Sequence, residues 1–372
     1  MQQLDFLPQE KVIWGQEVLI DAMGALGRYG IEKPILFTVE PLAGLAERLV
    51  SAIGSEVVGE FLDLPPHVPE AAVNEALRSC ESAGAKSIIA LGGGSVLDAA
   101  KAASHFHHVR HGRYLPIVAL PTTLSGSEFS HYFGVTETSG TMKFKRSYAV
   151  RETAPRVVII DPELIRGTPR TLLLSSAIKG IDHAVEGMRL VDADHPHAVL
   201  AASGARRFLR VLNKWPSGVE TKEALNAGSI TLDDLLQLQL AAWQCYFFPA
   251  SVIYGLSHRI GHILGGTFGV PHSVTSCVTL APVIRACAGF YGDKLTIFND
   301  EASGEDAAAA LSREIAGAVE VLGLPSKLRD VGVDKAQLAN VSELLVENYP
   351  REVNDLGKDA QGKLADLLES LW

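Results

Sequence analysis

Three consecutive glycines, Gly92 to Gly94, stand between a β-rich run, Ser87 to Leu91, and a helical pattern, Ser95 to Ser104. A strand that feeds a helix through so bare a turn lets backbone N–H groups approach a pyrophosphate at the positive helix end. The plainer reading is a tight strand-to-helix turn. Three glycines give more conformational freedom than a turn requires, at an entropic cost, so Gly92, Gly93, Gly94 and Ser95 are read as a phosphate cradle. Ser95 and Asp98 resemble a capping box at the start of that helix. The string is neither a P-loop, which ends in Gly-Lys-Ser/Thr, nor the usual GxGxxG.

The surroundings support this reading. Short β-rich runs alternate with helical patterns: Lys11 to Trp14, a helix to about Tyr29, Pro34 to Thr38, a helix, Val57 to Leu62, then a helix from Pro69 to Ala83. Strands at Leu115 to Leu120 and Val157 to Ile160 continue the βαβ rhythm of a parallel, Rossmann-like sheet. After Asp161 the β-branched runs give way to long 3.6-residue patterns at Leu172 to Met188, His197 to Leu212 and Leu232 to Phe248. With 372 residues, more than one core usually serves, the chain divides into an α/β domain, 1–161, and an all-helical catalytic domain, 162–372. The site is expected in the cleft between them.

Net charge is −10 without a Lys/Arg stripe, which argues against nucleic acid or an anionic membrane and leaves small molecules as partners. Cys80, Cys245, Cys277 and Cys287 lack CxxC spacing, the N-terminus has no apolar core of a signal peptide, and no run approaches eighteen apolar residues. A cytoplasmic homodimer is expected.

Pro121 to Glu128, PTTLSGSE, follows the next strand. The hydroxyls of Thr122, Thr123 and Ser127 could hold a nicotinamide, its ribose or a phosphate; a polar loop is the alternative. Lys145, in a basic stretch with Lys143 and Arg146, suits cofactor phosphate or a substrate carboxylate, or is only a surface charge. Glu40, near the end of the second strand, favours a free ribose 2'-hydroxyl and hence NADH, while Thr38 and Val39 leave room for NADPH. The run His105, His107, His108, His111 reads as a solvated loop, and residues 301–372 as scaffold with breaks at Pro325 and Pro350.

The remaining feature is Gly255 to His272, GLSHRIGHILGGTFGVPH. His258 and His262, four apart, share a helix face. Gly265, Gly266 and Gly269 are expected to end the helix, and Pro271 to turn His272 back towards that face. The constellation suits a metal or a proton relay, although histidines on such a helix are often core residues. A zinc protease would need Glu after the first histidine, where this chain has Arg259.

Taken together, GGGSVLDAAK, PTTLSGSE, DPEL at Asp161 to Leu164, HAVE at His183 to Glu186 and the HxxxH followed by PH resemble the group III, iron-containing alcohol dehydrogenases over nearly the whole chain. Within that family the sequence is most similar to maleylacetate reductases, sharing an HVP element at His67 to Pro69, Gly134 to Glu137, and the GLxH and LGGTFGxPH strings. Asp98 and Ala99 depart towards the wider family. The resemblance implies an NAD(P)H-dependent reductase of an enone or keto acid, of the type met in aromatic degradation. It implies His183, His258 and His272 as ligands of iron or zinc, and His262 in the proton-relay position.

The resemblance also puts an Asp, or an Asn in the reductases, at the first ligand position, where this chain has Lys179. A lysine ammonium beside a divalent cation costs several kcal/mol even at moderate screening, so either burial makes Lys179 neutral and the histidines keep zinc, or the metal is weak or absent, which is the expectation. Asp182 points about 100° away from His183 on the helix and is expected to pair with Lys179. Lys179 and a histidine then become the groups that polarise a carbonyl. A second reading keeps zinc on three histidines and makes Lys179 the base of a hydrolase or lyase. A non-catalytic binding protein is a distant third.

Overall fold

Apolar runs rich in Val, Ile, Leu and Ala form the strands β1 (Lys11–Trp14), β2 (Pro34–Phe37), β3 (Gly59–Phe61), β4 (Ser87–Gly92) and β5 (Ile117–Pro121), and later β8 (Val157–Ile160). They make one six-stranded sheet in the order β1-β8-β5-β4-β2-β3, with every pair parallel. All residues of β2, β4, β5 and β8 are buried, as expected of strands covered on both faces. The structure, a computed structural model, describes residues 4–53, 56–65, 68–139, 142–192, 194–250, 252–299 and 304–372; the side chains of 138–145 and 305 lie outside that description.

The chain forms two compact units, Met1–Thr168 with Phe248–Ala250, and Pro169–Phe247 with Ser251–Trp372. In the first, the connection from β2 runs outward to β3, and the chain returns to place β4 beside β2 and β5 on the other side. Ligands of open parallel sheets bind beyond the carboxyl ends of the strands at such a reversal. Register puts those ends level, with Gly92 opposite Pro121.

The helices of this unit are α1 (Leu19–Gly24), α2 (Ala43–Ile53), α3 (Glu70–Ser82) and α4 (Gly94–His111). The histidine run is therefore not a loop. It forms the last two turns of α4, with His107 buried and its Nδ1 2.9 Å from the Arg113 carbonyl, and Gly112, at φ 72°, ends the helix. A hairpin of β6 (Tyr132–Ser139) and β7 (Met142–Ala149) lies outside the sequence expectations. Its alternation is visible in Phe133 and Val135, buried on one face.

The second unit comprises α5 (Arg170–Glu186), α6 (Pro196–Leu212), α7 (Thr221–Asn226), α8 (Leu232–Cys245), α9 (Leu256–Phe268), α10 (His272–Ala286), α11 (Ala288–Tyr291), α12 (Gly304–Val321), α13 (Leu338–Asn348), α14 (Pro350–Val353) and α15 (Ala360–Leu371), with no strand among the described residues. Helix α5 packs against α6, α8, α9 and α10 and is buried almost all round. Among its polar residues, Ser175, Lys179, Asp182 and Glu186 fall at spacings of three and four and so form one buried polar stripe. Gly265 and Gly266 sit inside α9 instead of ending it; Gly269, at φ 69°, is the stop. Among the described residues no single helix is long and apolar enough to cross a membrane.

Candidate functional site

In the first unit the turn after β4 is built by close approach. A Cβ at Gly92 would lie 2.4 Å from Val96 Cγ2, one at Gly93 2.9 Å from Thr123 Cγ2, and one at Gly94 3.3 Å from Ser125 Oγ. None of the three has a positive φ, so Gly92 and Gly93 are required for space, Gly94 is tightly fitted, and none is there for the conformational freedom that the sequence implies. Gly93 is the N-cap of α4 and no side chain caps the helix. Ser95 and Asp98 therefore do not form a capping box. The adjacent loop is tied on by Thr122, whose N–H donates to the Gly92 carbonyl at 3.1 Å and whose carbonyl accepts the Thr168 hydroxyl at 2.6 Å. Thr123 Oγ1 is buried without a partner, the orphaned polar atom expected where a ligand completes a site.

Asp98 and Ser127 turn inward. Asp98 accepts the Ser127 hydroxyl at 2.9 Å and the Gly134 N–H at 3.1 Å. Lys101, missed in the sequence, is fully buried and donates to the Ser127 carbonyl at 2.6 Å, the Ser127 hydroxyl at 2.8 Å and the Tyr132 carbonyl at 2.9 Å. Burial pulls its pKa down to about 8, and burial pushes neighbouring Glu128 up to about 7. A lysine within the alanine run Ala99 to Ala103 was the available signal. Glu40 is exposed and opens a short 3-10 turn after β2. Lys145 has its backbone on β7, but its side chain, like His67, lies outside the described residues.

In the second unit the stripe on α5 meets the start of α9. Lys179 Nζ donates to Asp182 Oδ2 at 2.7 Å and lies 3.1 Å from His258 Nδ1. Asp182 Oδ1 accepts the Ser257 hydroxyl at 2.7 Å, and the Ser257 hydroxyl oxygen is 2.8 Å from the Thr279 hydroxyl. Burial works to raise the Asp182 pKa, but Lys179, His183 and the Ser257 hydroxyl together outweigh it and hold the carboxyl below its ordinary value. The i, i+3 pairing read from the sequence is present.

Glu186 does a different job. Its carboxyl accepts the His258 N–H at 3.2 Å and the Tyr291 hydroxyl at 3.0 Å, capping α9 from another helix. A Cβ on Gly255 would stand 2.9 Å from Glu186 Oε2, so glycine is needed there. Burial, with Asp182 one turn away, raises the Glu186 pKa to about 8. Neither Glu186 nor Tyr291 is legible in the sequence, because the contact spans 105 residues.

The imidazoles gather around His258. His258, His262 and His272 each bring a ring nitrogen within 4.8 Å of the others. His183 is outside that group: its ring lies 4.7 Å from His258 and also meets Tyr246 and Tyr254, and its Nδ1 is buried without a partner. The structure thus groups His262, and not His183, with the other two. Burial first, then the neighbouring cations and imidazoles, hold His183 and His258 well below the ordinary histidine pKa. His258 is buried, His262 half-buried and His272 exposed, so the cluster grades from core to surface. It offers proton-bearing or lone-pair nitrogens to a small molecule.

Residues 8–162 match the family described as iron-containing alcohol dehydrogenase, and 237–359 its C-terminal region. Maleylacetate reductase of Pseudomonas aeruginosa is 30% identical over 350 residues, covering 94% of this chain and 93% of the relative. The solved maleylacetate reductase from Agrobacterium tumefaciens superposes with a TM-score of 0.82 at 24% identity, covering 100% of this chain and 99% of that one. Sulfoacetaldehyde reductase from Bifidobacterium kashiwanohense, solved in complex with NAD+, gives a TM-score of 0.81 at 21% identity, with 100% and 99% coverage.

Proposed function

The chain belongs to the iron-containing alcohol dehydrogenase family and is an NAD(P)H-dependent oxidoreductase, and we propose that it reduces a conjugated keto diacid of the maleylacetate type with NADH. The observation that carries this reading is the glycine turn with the orphaned Thr123 hydroxyl beside it, on a chain similar to maleylacetate reductases over 94% of its length. The uncapped start of α4, with Gly92, Gly93, Gly94 and Ser95, would hold the pyrophosphate. Thr122 and Thr123 would hold the nicotinamide end, and Glu40 a ribose hydroxyl. Asp98, Ser127 and Lys101 act as positioning residues, since their polar atoms fix the loop. Lys145 is assigned to a phosphate or carboxylate.

A bound reduced nicotinamide supplies the hydride. The protein's part is to accept the charge that reduction of a conjugated alkene leaves on the substrate's carbonyl oxygen. An N–H of His258 would donate to that oxygen, and His262, closer to the surface, would deliver a proton to the adjacent carbon. Lys179 acts through His258 as a positioning residue, because its ammonium is buried against Asp182 and His258. A reducing cytoplasm and a homodimeric state belong to the same proposal, the former supported by four buried, unpaired cysteines. The hydrolase or lyase alternative is not favoured by a full-length likeness to reductases.

Absorbance of the reduced nicotinamide, followed with a 4-oxo-2-enedioate and with saturated ketones, tests the reading. NADH oxidation is expected with the enedioate. Gly93→Val should abolish dinucleotide binding, because the added atoms run into Thr123. If neither NADH nor NADPH shifts the melting temperature or intrinsic fluorescence at millimolar concentration, the oxidoreductase reading fails.

A further inference from the structure

The family implies a divalent ion at the histidines, and the contact between Lys179 and His258 bears on whether these residues fit one. A neutral imidazole has one nitrogen with a lone pair and one with a hydrogen, whereas an ammonium has three donors and no acceptor. Lys179 Nζ, 2.7 Å from the Asp182 carboxylate, lies 3.1 Å from His258 Nδ1. That contact is a hydrogen bond only if Nδ1 brings the lone pair, and Nε2 then carries the hydrogen. Asp182 Oδ2 is also near Nδ1, but at 3.4 Å, and a proton on Nδ1 would face the protons of Lys179 at the shorter distance. Lys179 is 3% exposed, so the ammonium has no route to solvent that would relieve such a clash.

The usual support for a metal-bound histidine is the reverse. Its second ring nitrogen donates to a carboxylate or carbonyl, which fixes the other as a ligand. Here the second-nitrogen partner is a donor. A metal on Nε2 would meet a proton, and a metal on Nδ1 would have to displace Lys179 from its ion pair. Either way the buried member of the three-histidine group is lost, leaving the half-buried His262 and the exposed His272, fewer than the three protein ligands of catalytic zinc sites. The donor set does not fit the ion.

We propose that Lys179 takes the place of the metal by locking His258 in the tautomer whose Nε2 bears the hydrogen, so that the site receives a substrate oxygen on an imidazole N–H. This rests on the reductase reading only for the identity of that oxygen. The lock itself concerns Lys179, Asp182 and His258. Ser257, donating to the other Asp182 oxygen, holds the carboxylate so that Lys179 remains aimed at the ring.

Two measurements on the wild-type chain, neither needing turnover, decide the matter. In long-range 15N spectra of histidine-labelled protein, with the signal assigned by His258→Gln, the Nε2-protonated pattern is expected; an Nδ1-protonated pattern overturns the proposal. Calorimetry with Zn2+ and the d–d absorption of Co2+ should show no ion bound through His258. One ion per chain, lost in His258→Gln, overturns it, while binding that survives this substitution leaves His258 outside the ligand set, as proposed. Lys179→Asp removes the repelling ammonium and adds a carboxylate at the first ligand position that the family implies, so it should raise metal affinity by at least about 10-fold, and Lys179→Arg should keep the wild-type tautomer. Loss of NADH oxidation with both wild-type results intact would count against the reductase reading alone.

Discussion

Among the described residues two lysines are buried, and they are held in opposite ways. Lys101 faces three oxygens of the β5 loop and hairpin, two carbonyls and one hydroxyl, with no carboxylate in contact among the described residues. Lys179 rests on a carboxylate and turns towards an imidazole. The first arrangement satisfies every donor with fixed acceptors and fastens a segment. The second gives up an acceptor for a ring nitrogen whose other side is part of the histidine cluster. A buried cation that meets only backbone and hydroxyl oxygens is structural, and one that meets a titratable ring acts on chemistry.

Replacing each lysine by Met should separate the two roles most strongly. Lys179→Met is expected to lower kcat by about 10²- to 10³-fold, as for loss of an oxyanion donor, and to destabilise the second unit by about 3–5 kcal/mol through the uncompensated Asp182. Lys101→Met should instead raise the KM for the dinucleotide and cost about 1–3 kcal/mol for each buried carbonyl left unpaired, with kcat changed far less. Steady-state kinetics and urea denaturation check both. An equal fall in kcat for the two variants would erase the distinction.

The pH dependence of stability sharpens it. Lys101 titrates at about 8 in the folded chain, below the ordinary lysine value of 10.5. The unfolded state binds the extra proton between those values, so stability should rise as pH climbs from about 8 towards 10.5. Glu128, raised to about 7 from 4.5, keeps its proton when folded, so stability should fall from pH 4.5 to about 7. This pair therefore contributes a minimum between about 7 and 8. Denaturation midpoints across pH 5 to 10 should show it, and Lys101→Met should remove the rising limb.

The smallest effect is expected at Thr279. Its hydroxyl lies behind Ser257, three links from Lys179. Thr279→Val should cost about 0.5–1.5 kcal/mol and leave kcat within a few-fold. A large loss of kcat would mean that the lysine's aim depends on the whole chain of hydroxyls.

What the sequence revealed followed local periodicity. The buried strands stood out as Val, Ile and Leu runs, α5, α6 and α8 as 3.6-residue patterns, and the Lys179–Asp182 pair as a matter of i, i+3 spacing. The histidines of α4 were misread because Gly112 and the following strand made His105 to His111 look like a connection, although Gly112 ends a longer helix. The β6–β7 hairpin was overlooked because its alternation is diluted by Thr, Ser and Lys. Asp98 and Ser127 carried polar side chains in the right loops, but only tertiary structure shows those atoms turned on each other. Glu186, Gly255 and Tyr291 meet across long sequence separations that no pattern encodes.

The fit of Glu186 against Gly255 carries a consequence for how this chain can diversify. With 2.9 Å between the carboxyl group and the nearest atom any side chain would add at 255, position 255 cannot gain a side chain while Glu186 keeps its place. A larger residue at 255 is admissible only together with a shorter acid, or none, at 186, and the second case also strands the Tyr291 hydroxyl. Positions 186, 255 and 291 should therefore co-vary across descendants of this sequence, a heritable linkage set by the want of a single methyl group.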